Sequence, residues 1–261
     1  MATIITEPFR RAGRFASFAA RTLLALPAAP FLRGAEVVRL FEQVAVHSLS
    51  IVLGAGLSVG LATWFQTHRL LAAHGAEAAL PSFLAVAVVV ELGPLLAGVL
   101  AAGRVGAGLA AEMGVMTLNE EIDARLVLGT DPIAGLVAPR VLACVLAVPL
   151  LTVLVDASAL AGALAAEAAA GKLSAQLFWR QSLAFLRLSD VIPATLKTAV
   201  FGLAVGLVGC WVGLNAGRSA EDVGRAATRG VVWTTLAVFA ANVALAPLIP
   251  WAIDLLGLSG S

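Results

Sequence analysis

Charge is what this sequence has least of. Asp, Glu, Lys and Arg make up 13% of its 261 residues, about half the ~25% usual in a soluble domain. With 60% hydrophobic residues and a mean hydropathy of +0.96, that scarcity excludes a soluble globular domain, because a core of this size cannot hide so much apolar surface. Cysteine is nearly absent as well. Cys144 and Cys210 both fall in apolar runs, where a small buried hydrophobe is the expected role and a disulfide is not. The three histidines, His47, His68 and His74, have no close cysteine pair and no metal-ligand spacing, so no metal is expected. A phosphate-binding loop is also missing. The single Gly-Lys pair, Gly171-Lys172, precedes Leu173 and lacks a glycine five residues earlier, so the chain is not expected to hydrolyse ATP by itself. Basic residues are dispersed without interleaved aromatics, which gives no reason to expect nucleic acid.

What is present is a set of long apolar runs. Residues 43–68 and 230–253 carry no charge, 78–103 only Glu91, 132–155 only Arg140 and 191–217 only Lys197. Each suffices for the ~20 residues that cross ~30 Å of hydrocarbon as a helix. None shows the alternation of a barrel strand. The expectation is an all-α integral membrane protein with about five spans in residues 43–256, an N-terminal region 1–42 and a short tail 257–261.

The N-terminal region reads differently. On a helical wheel Arg10, Arg11, Arg14 and Arg21 fall within about 100°, opposite Ala12, Ala16, Ala19 and Leu23; Phe18 sits off that pattern. Such a helix suits the membrane interface. A cleaved signal peptide is the competing reading, disfavoured by the long polar lead-in before LLALPAAPF. Basic residues also set the orientation. With the N-terminus cytoplasmic, inner segments hold Arg10, Arg11, Arg14, Arg21, Arg33, Arg39, Arg104, Arg125, Arg140, Arg218, Arg225 and Arg229, and outer ones only Arg69, Lys172, Arg180 and Arg187. The N-terminus is therefore expected inside. Residues 111–132, AEMGVMTLNEEIDARLVLGTDP, then form a cytoplasmic connection between spans two and three. Its acidic cluster Glu120, Glu121 and Asp123 precedes Arg125, and Gly129 and Pro132 end it. It reads as a docking element, against the alternative of a solvated turn.

Small residues recur every fourth position at Gly98, Ala102, Gly106, Ala110 and Gly114, and again at Gly202, Gly206 and Cys210. Stripes of this kind let helix backbones approach closely in lipid. Glu91 is the chemical anomaly. A charge at the bilayer centre costs ~2.5–3.5 kcal/mol on insertion scales, so it needs a partner, a wet cavity or a proton. Lys197 is the natural cation for it, with Arg104 and Arg140 at helix ends, and Pro94 permits a kink beside it. The pair would serve either substrate passage or packing alone. Asp156 is a second intramembrane acid with no partner evident in sequence. Residues 56–60, GLSVG, fit a hydrolase elbow in letters, with His47, His68 or His74 as base. They lie in a charge-free helix instead of a strand-to-helix turn, so ordinary packing is expected.

The stretch ELGPLLAGVLAAGRVGAGLAAEMGVMTLNEEIDARLVLGTDP and its continuation to Ala143, with LKTAVFG at 196–202 and SAEDVGRAATRGVVWTTLAVF at 219–239, resembles the MlaE family. These are permeases of ABC-type lipid transporters, and the resemblance covers roughly residues 40–255. It implies a homodimeric inner-membrane permease with an interfacial N-terminal helix and no cofactor of its own. Residues 111–132 would hold the coupling helix, docked on a separate cytoplasmic ATPase that binds ATP and Mg. A periplasmic MCE-domain protein would shield the outward route, and the cargo would be phospholipid or a related lipid. It also implies that Glu91 and Lys197 lie near the lipid path. Where some members carry Arg before this glutamate, the present chain has Val90, so one cation is missing there. A proton- or ion-coupled secondary transporter built on Glu91, Asp156 and Lys197 is the alternative.

Overall fold

The computed structural model describes residues 2–171 and 174–255. Lys172 and the tail 257–261, both named above, lie outside the described residues, as does the side chain of Arg11. The described residues are helical almost throughout and contain no strand. α1 is Ala2–Ala25 and α2 is Ala29–Ala73. α3 runs Glu77–Leu118 and a short α4 Glu121–Val127. α5 is Ile133–Ala170, α6 Ala175–Phe185, α7 Leu188–Leu214 and α8 Ala220–Leu255. Among the described residues five helices are long and apolar enough to cross a membrane: α2 from Arg33, then α3, α5, α7 and α8 as far as Leu248. The break at Arg33, whose φ of −144° and ψ of 40° leave the helical region, sets the short segment 29–32 apart from the long helix that follows, which is charged as far as Glu42 and apolar over residues 43–68.

The helices are not uniform. α3 widens into π-type turns at Val88–Leu92 and Ala102–Gly106, and α5 starts with one at Ile133–Val137. A π-type turn inserts an extra residue and re-aims side chains, often where a helix does something besides pack.

The chain divides into two compact units, and each of the five spans contributes to both. The first takes Met1–Val44, Ala101–Leu146 and Gly202–Ala237. Its packing rests on small residues. A side chain at Gly202 would strike the Cys144 and Val145 backbone, one at Gly206 would strike Val141, and one at Gly106 would strike Thr234. The Thr234 hydroxyl donates to the Ala102 carbonyl at 3.1 Å. Both cysteines are buried and free. In α1, Phe18 and Thr22 are buried, and Phe15 and Phe18 close on Trp211 of α7 at centroid distances of 5.6 and 5.1 Å. Ala12, Ala16 and Leu23 stay exposed, as do Arg10, Arg14 and Arg21. Phe18, the misfit of the wheel, is thus the anchor of α1, and the small apolar face beside it stays open.

The second unit takes Ala45–Leu100, Ala147–Phe201 and Val238–Ser261. There α2 and α5 meet backbone to backbone: a Cβ at Gly60 would overlap the Ala159 carbonyl and one at Gly162 the Leu57 carbonyl. The GLSVG glycines are therefore close-approach residues of a helix pair. Trp64, Leu80, Leu84 and Phe178 form one buried cluster, and Val52, Ala97, Leu151 and Val155 another. α6 starts at a Ser174 cap, whose hydroxyl accepts from Leu177 N at 3.3 Å. It is tied to the start of α3 by the Ser182 hydroxyl on the Pro81 carbonyl and the Ser82 hydroxyl on the Gln181 carbonyl.

Candidate functional site

Pro94 shapes the second unit's polar centre. In a regular helix the N–H of residue 94 would serve the Val90 carbonyl; proline has none. α3 answers with the π-type turn Val88–Leu92, in which Gly93 N donates to Val88 O. The Val90 carbonyl takes its donor from another helix, Lys197 Nζ of α7, at 3.0 Å. The same ammonium lies 2.8 Å from Glu91 Oε2. Asn242 of α8 donates its Nδ2 to Glu91 Oε1 at 2.9 Å. Three helices therefore converge on one carboxylate. Exposure is uneven: the Lys197 side chain is 4% accessible and that of Glu91 49%. The cation is buried while the acid faces outward.

Asp156 is 8% exposed and its Oδ1 has no hydrogen-bond partner among the described residues. It packs against Gly93, where a Cβ would overlap that oxygen. A glycine beside the proline thus makes room for a second acid against the same turn of α3.

In the first unit, the 111–132 connection separates into parts. Residues up to Leu118 continue α3, and α4 is the single short helix after it. Glu120 begins α4 in the left-handed region at φ 58°. Gly129 at φ 73° closes it, with Thr130 N donating to Arg125 O at 3.0 Å in a Schellman-type stop. Two of the three acids expected to face a partner are engaged within the chain: Arg218, before α8, lies 2.9 Å from Asp123 and 3.5 Å from Glu120. Arg21 of α1 reaches Asp131 at 3.3 Å. The outward surface of α4 and its exit is apolar, Leu126 at 58%, Val127 at 88% and Leu128 at 77% exposure, with Glu121 also exposed and Arg125 half-buried. Behind this segment Arg140 Nη2 meets Glu112 Oε1 at 2.6 Å and its Nη1 donates to Leu136 O at 2.8 Å. The pair joins α3, ahead of the connection, to α5 just after it.

Ser58 donates to Gly54 O one turn back in α2 at 2.8 Å, the ordinary satisfaction of a hydroxyl within a helix. The small-residue stripe meets neighbours at each step: Gly98 against Phe201 and Val238, Ala110 against Gly213 and Gly230, Gly114 against Ala216 and Val223. Asn242, Glu112, Glu167 and Arg218 were not among the site residues expected from sequence. Glu167, fully buried, accepts from the Trp64 indole at 2.7 Å. Their signal was available: a polar residue in an apolar run implies a partner, and Asn242 and Glu167 satisfy that rule as Glu91 does.

Comparison with known proteins agrees with this architecture. The sequence profile described as permease MlaE matches residues 37–248. A probable ABC transporter permease of Synechocystis is 36% identical over 208 residues, 80% of this chain and 79% of that one. The chloroplastic protein TRIGALACTOSYLDIACYLGLYCEROL 1 of Arabidopsis thaliana is 32% identical over 78% of this chain and 58% of its own length. The intermembrane phospholipid transport system permease protein MlaE of Haemophilus influenzae is 28% identical over 82% of both. With five membrane-spanning helices and a match over most of its length, this chain belongs to the MlaE family of ABC transporter permeases.

Proposed function

We propose that the chain is the permease subunit of a transporter that moves phospholipid or a related lipid between inner and outer membranes, powered by a separate cytoplasmic ATPase. The observation that carries this reading is the Glu91–Lys197–Asn242 centre, a half-exposed carboxylate held by three helices in an otherwise apolar stretch. A carboxylate kept in hydrocarbon at a cost of kcal/mol needs a reason beyond packing, and a polar headgroup travelling through an apolar protein supplies one. The permease breaks no bond. Its work is a change between two arrangements of its helices.

The drive would enter at α4. Val127 and Leu128 offer an apolar knob for the ATPase, Glu121 an acidic edge, and Arg21 and Arg218 pair with Asp131 and Asp123 on either side of it. ATP and Mg belong to that partner. The remaining assignments come from the family: a homodimer in the inner membrane, N-terminus inside, α1 along the interface through Ala12, Ala16 and Leu23, and an MCE-domain protein on the periplasmic side. Asp156, buried without a bonding partner for one oxygen, favours a second reading in which a proton gradient drives transport. Vesicles holding the co-purified complex separate the two. ATP-dependent lipid movement, lost with an ATPase-dead partner, is expected; transport by the isolated chain on a pH gradient would overturn the ATP-driven reading.

A further inference from the structure

We infer that the Glu91 site recognises a phospholipid headgroup bearing a hydrogen-bond-donating ammonium and discriminates against purely anionic headgroups. This rests on the lipid-path reading above.

A lysine in a lipid-handling protein invites the opposite assignment, a hook for phosphate. The geometry here argues against it. Lys197 has three donors; one is spent on the Val90 carbonyl and one on Glu91 Oε2, and its side chain is 4% exposed. A phosphate would reach that ammonium only by displacing Glu91. The accessible charge is Glu91 itself, 49% exposed. Its two oxygens each accept one bond from the protein, from Lys197 and from Asn242, and each keeps a further lone pair. Asn242 faces Glu91 with its amide nitrogen, and its Oδ1 has no partner among the described residues. Lys197 and the Asn242 Oδ1 are buried, so the bonding capacity that a ligand can reach is that of the Glu91 carboxylate, an acceptor, and the outward charge is negative. Val90, beside Glu91, brings no cation to reverse that sign.

A ligand that fits must bring N–H or O–H groups and positive charge. A primary ammonium of the ethanolamine type brings both. A choline headgroup brings charge without donors. A glycerol headgroup brings hydroxyls beside an uncompensated phosphate, which meets a carboxylate in a medium that screens poorly. The expected order is ethanolamine, then choline, then glycerol.

The test uses the full-length chain in phosphatidylcholine nanodiscs. These are doped in turn with ethanolamine, choline or glycerol phospholipid carrying the same photoreactive acyl chain, and lipid adducts are counted on peptides covering residues 83–103 and 239–248. At a half-exposed charge worth up to about fivefold, the ethanolamine lipid should exceed the glycerol lipid by at least about threefold. In Glu91→Gln that preference should fall below about twofold while total adducts persist. Glycerol lipid labelling equal to or above ethanolamine lipid in the unmodified protein overturns the inference, and that arm needs no variant to fold. So does an unchanged preference in Glu91→Gln. Adducts without headgroup preference refute this inference alone; no adducts with any lipid refute the lipid path as well.

Discussion

Lys197→Met tests the centre most directly, because the structure assigns the ammonium two separable jobs. One is the ion pair with Glu91, whose side chain is half exposed; exposed pairs are worth at most ~1 kcal/mol. The other is the Val90 carbonyl, which Pro94 leaves without its helical donor. An orphaned buried acceptor costs ~1–3 kcal/mol, although polar contacts measured in membrane proteins reach only ~1.7 kcal/mol. Methionine keeps the length and apolar stem of lysine, so the expected loss is about 2–3 kcal/mol, most of it from the carbonyl. Pro94→Ala returns an N–H to α3. In that background Lys197→Met should cost only about 1 kcal/mol, a coupling of roughly 1–2 kcal/mol between residues 94 and 197. The four proteins would be unfolded reversibly in detergent micelles and followed by circular dichroism. Additivity within about 0.5 kcal/mol would refute the claim that the lysine repairs the proline's missing bond.

Three further outcomes are expected. Val127→Asp should abolish co-purification of the ATPase while leaving the helical spectrum and melting temperature unchanged, since Val127 is 88% exposed and supports nothing within the chain; retained co-purification would count against α4 as the docking element. Asp123→Arg should weaken the same association, and adding Arg218→Asp should restore it, because the 2.9 Å pair between them positions α4; the stability change should stay under ~1 kcal/mol for so exposed a pair. Glu91→Lys should impair lipid transport more than Glu91→Gln, because it sets a second cation against Lys197; equal transport by both would mean the site has no electrostatic role.

The spans were legible because a charge-free run of about 20 residues has few other solutions in water or lipid. Lys197 was legible as the cation for Glu91 for a similar reason: with so few intramembrane charges, the options were few. What the sequence hid was the order of exposure within that pair, since which partner is buried depends on how α3, α7 and α8 pack. Asn242 went unnoticed because a neutral amide does not interrupt a charge-free run. The acidic cluster of residues 120–123 was legible only in part. Composition showed negative charge and a turn, but the position of Arg218, nearly a hundred residues on, decided that two of those acids face their own chain. Phe18 shows the converse. A residue that spoils an amphipathic face is informative, because something else in the molecule has to receive it.

The widened turns of α3 make its length a tuned quantity. Residues spaced by four overshoot a full α-helical turn by about 40° at each step, so the row from Gly98 to Gly114 would spiral off any single neighbour. The broad turn Ala102–Gly106 lowers the rotation per residue and takes back part of that drift. Loss of one residue there would close the broad turn to an ordinary α-helical one with its hydrogen bonds intact and the flanking side chains nearly in phase, whereas a loss from the regular part of α3 would rotate the row by about 100°. The broad turn is thus the place where this helix can absorb a change in residue number, while a side chain added at Gly98 or Gly106 would meet Phe201, Val238 or Thr234.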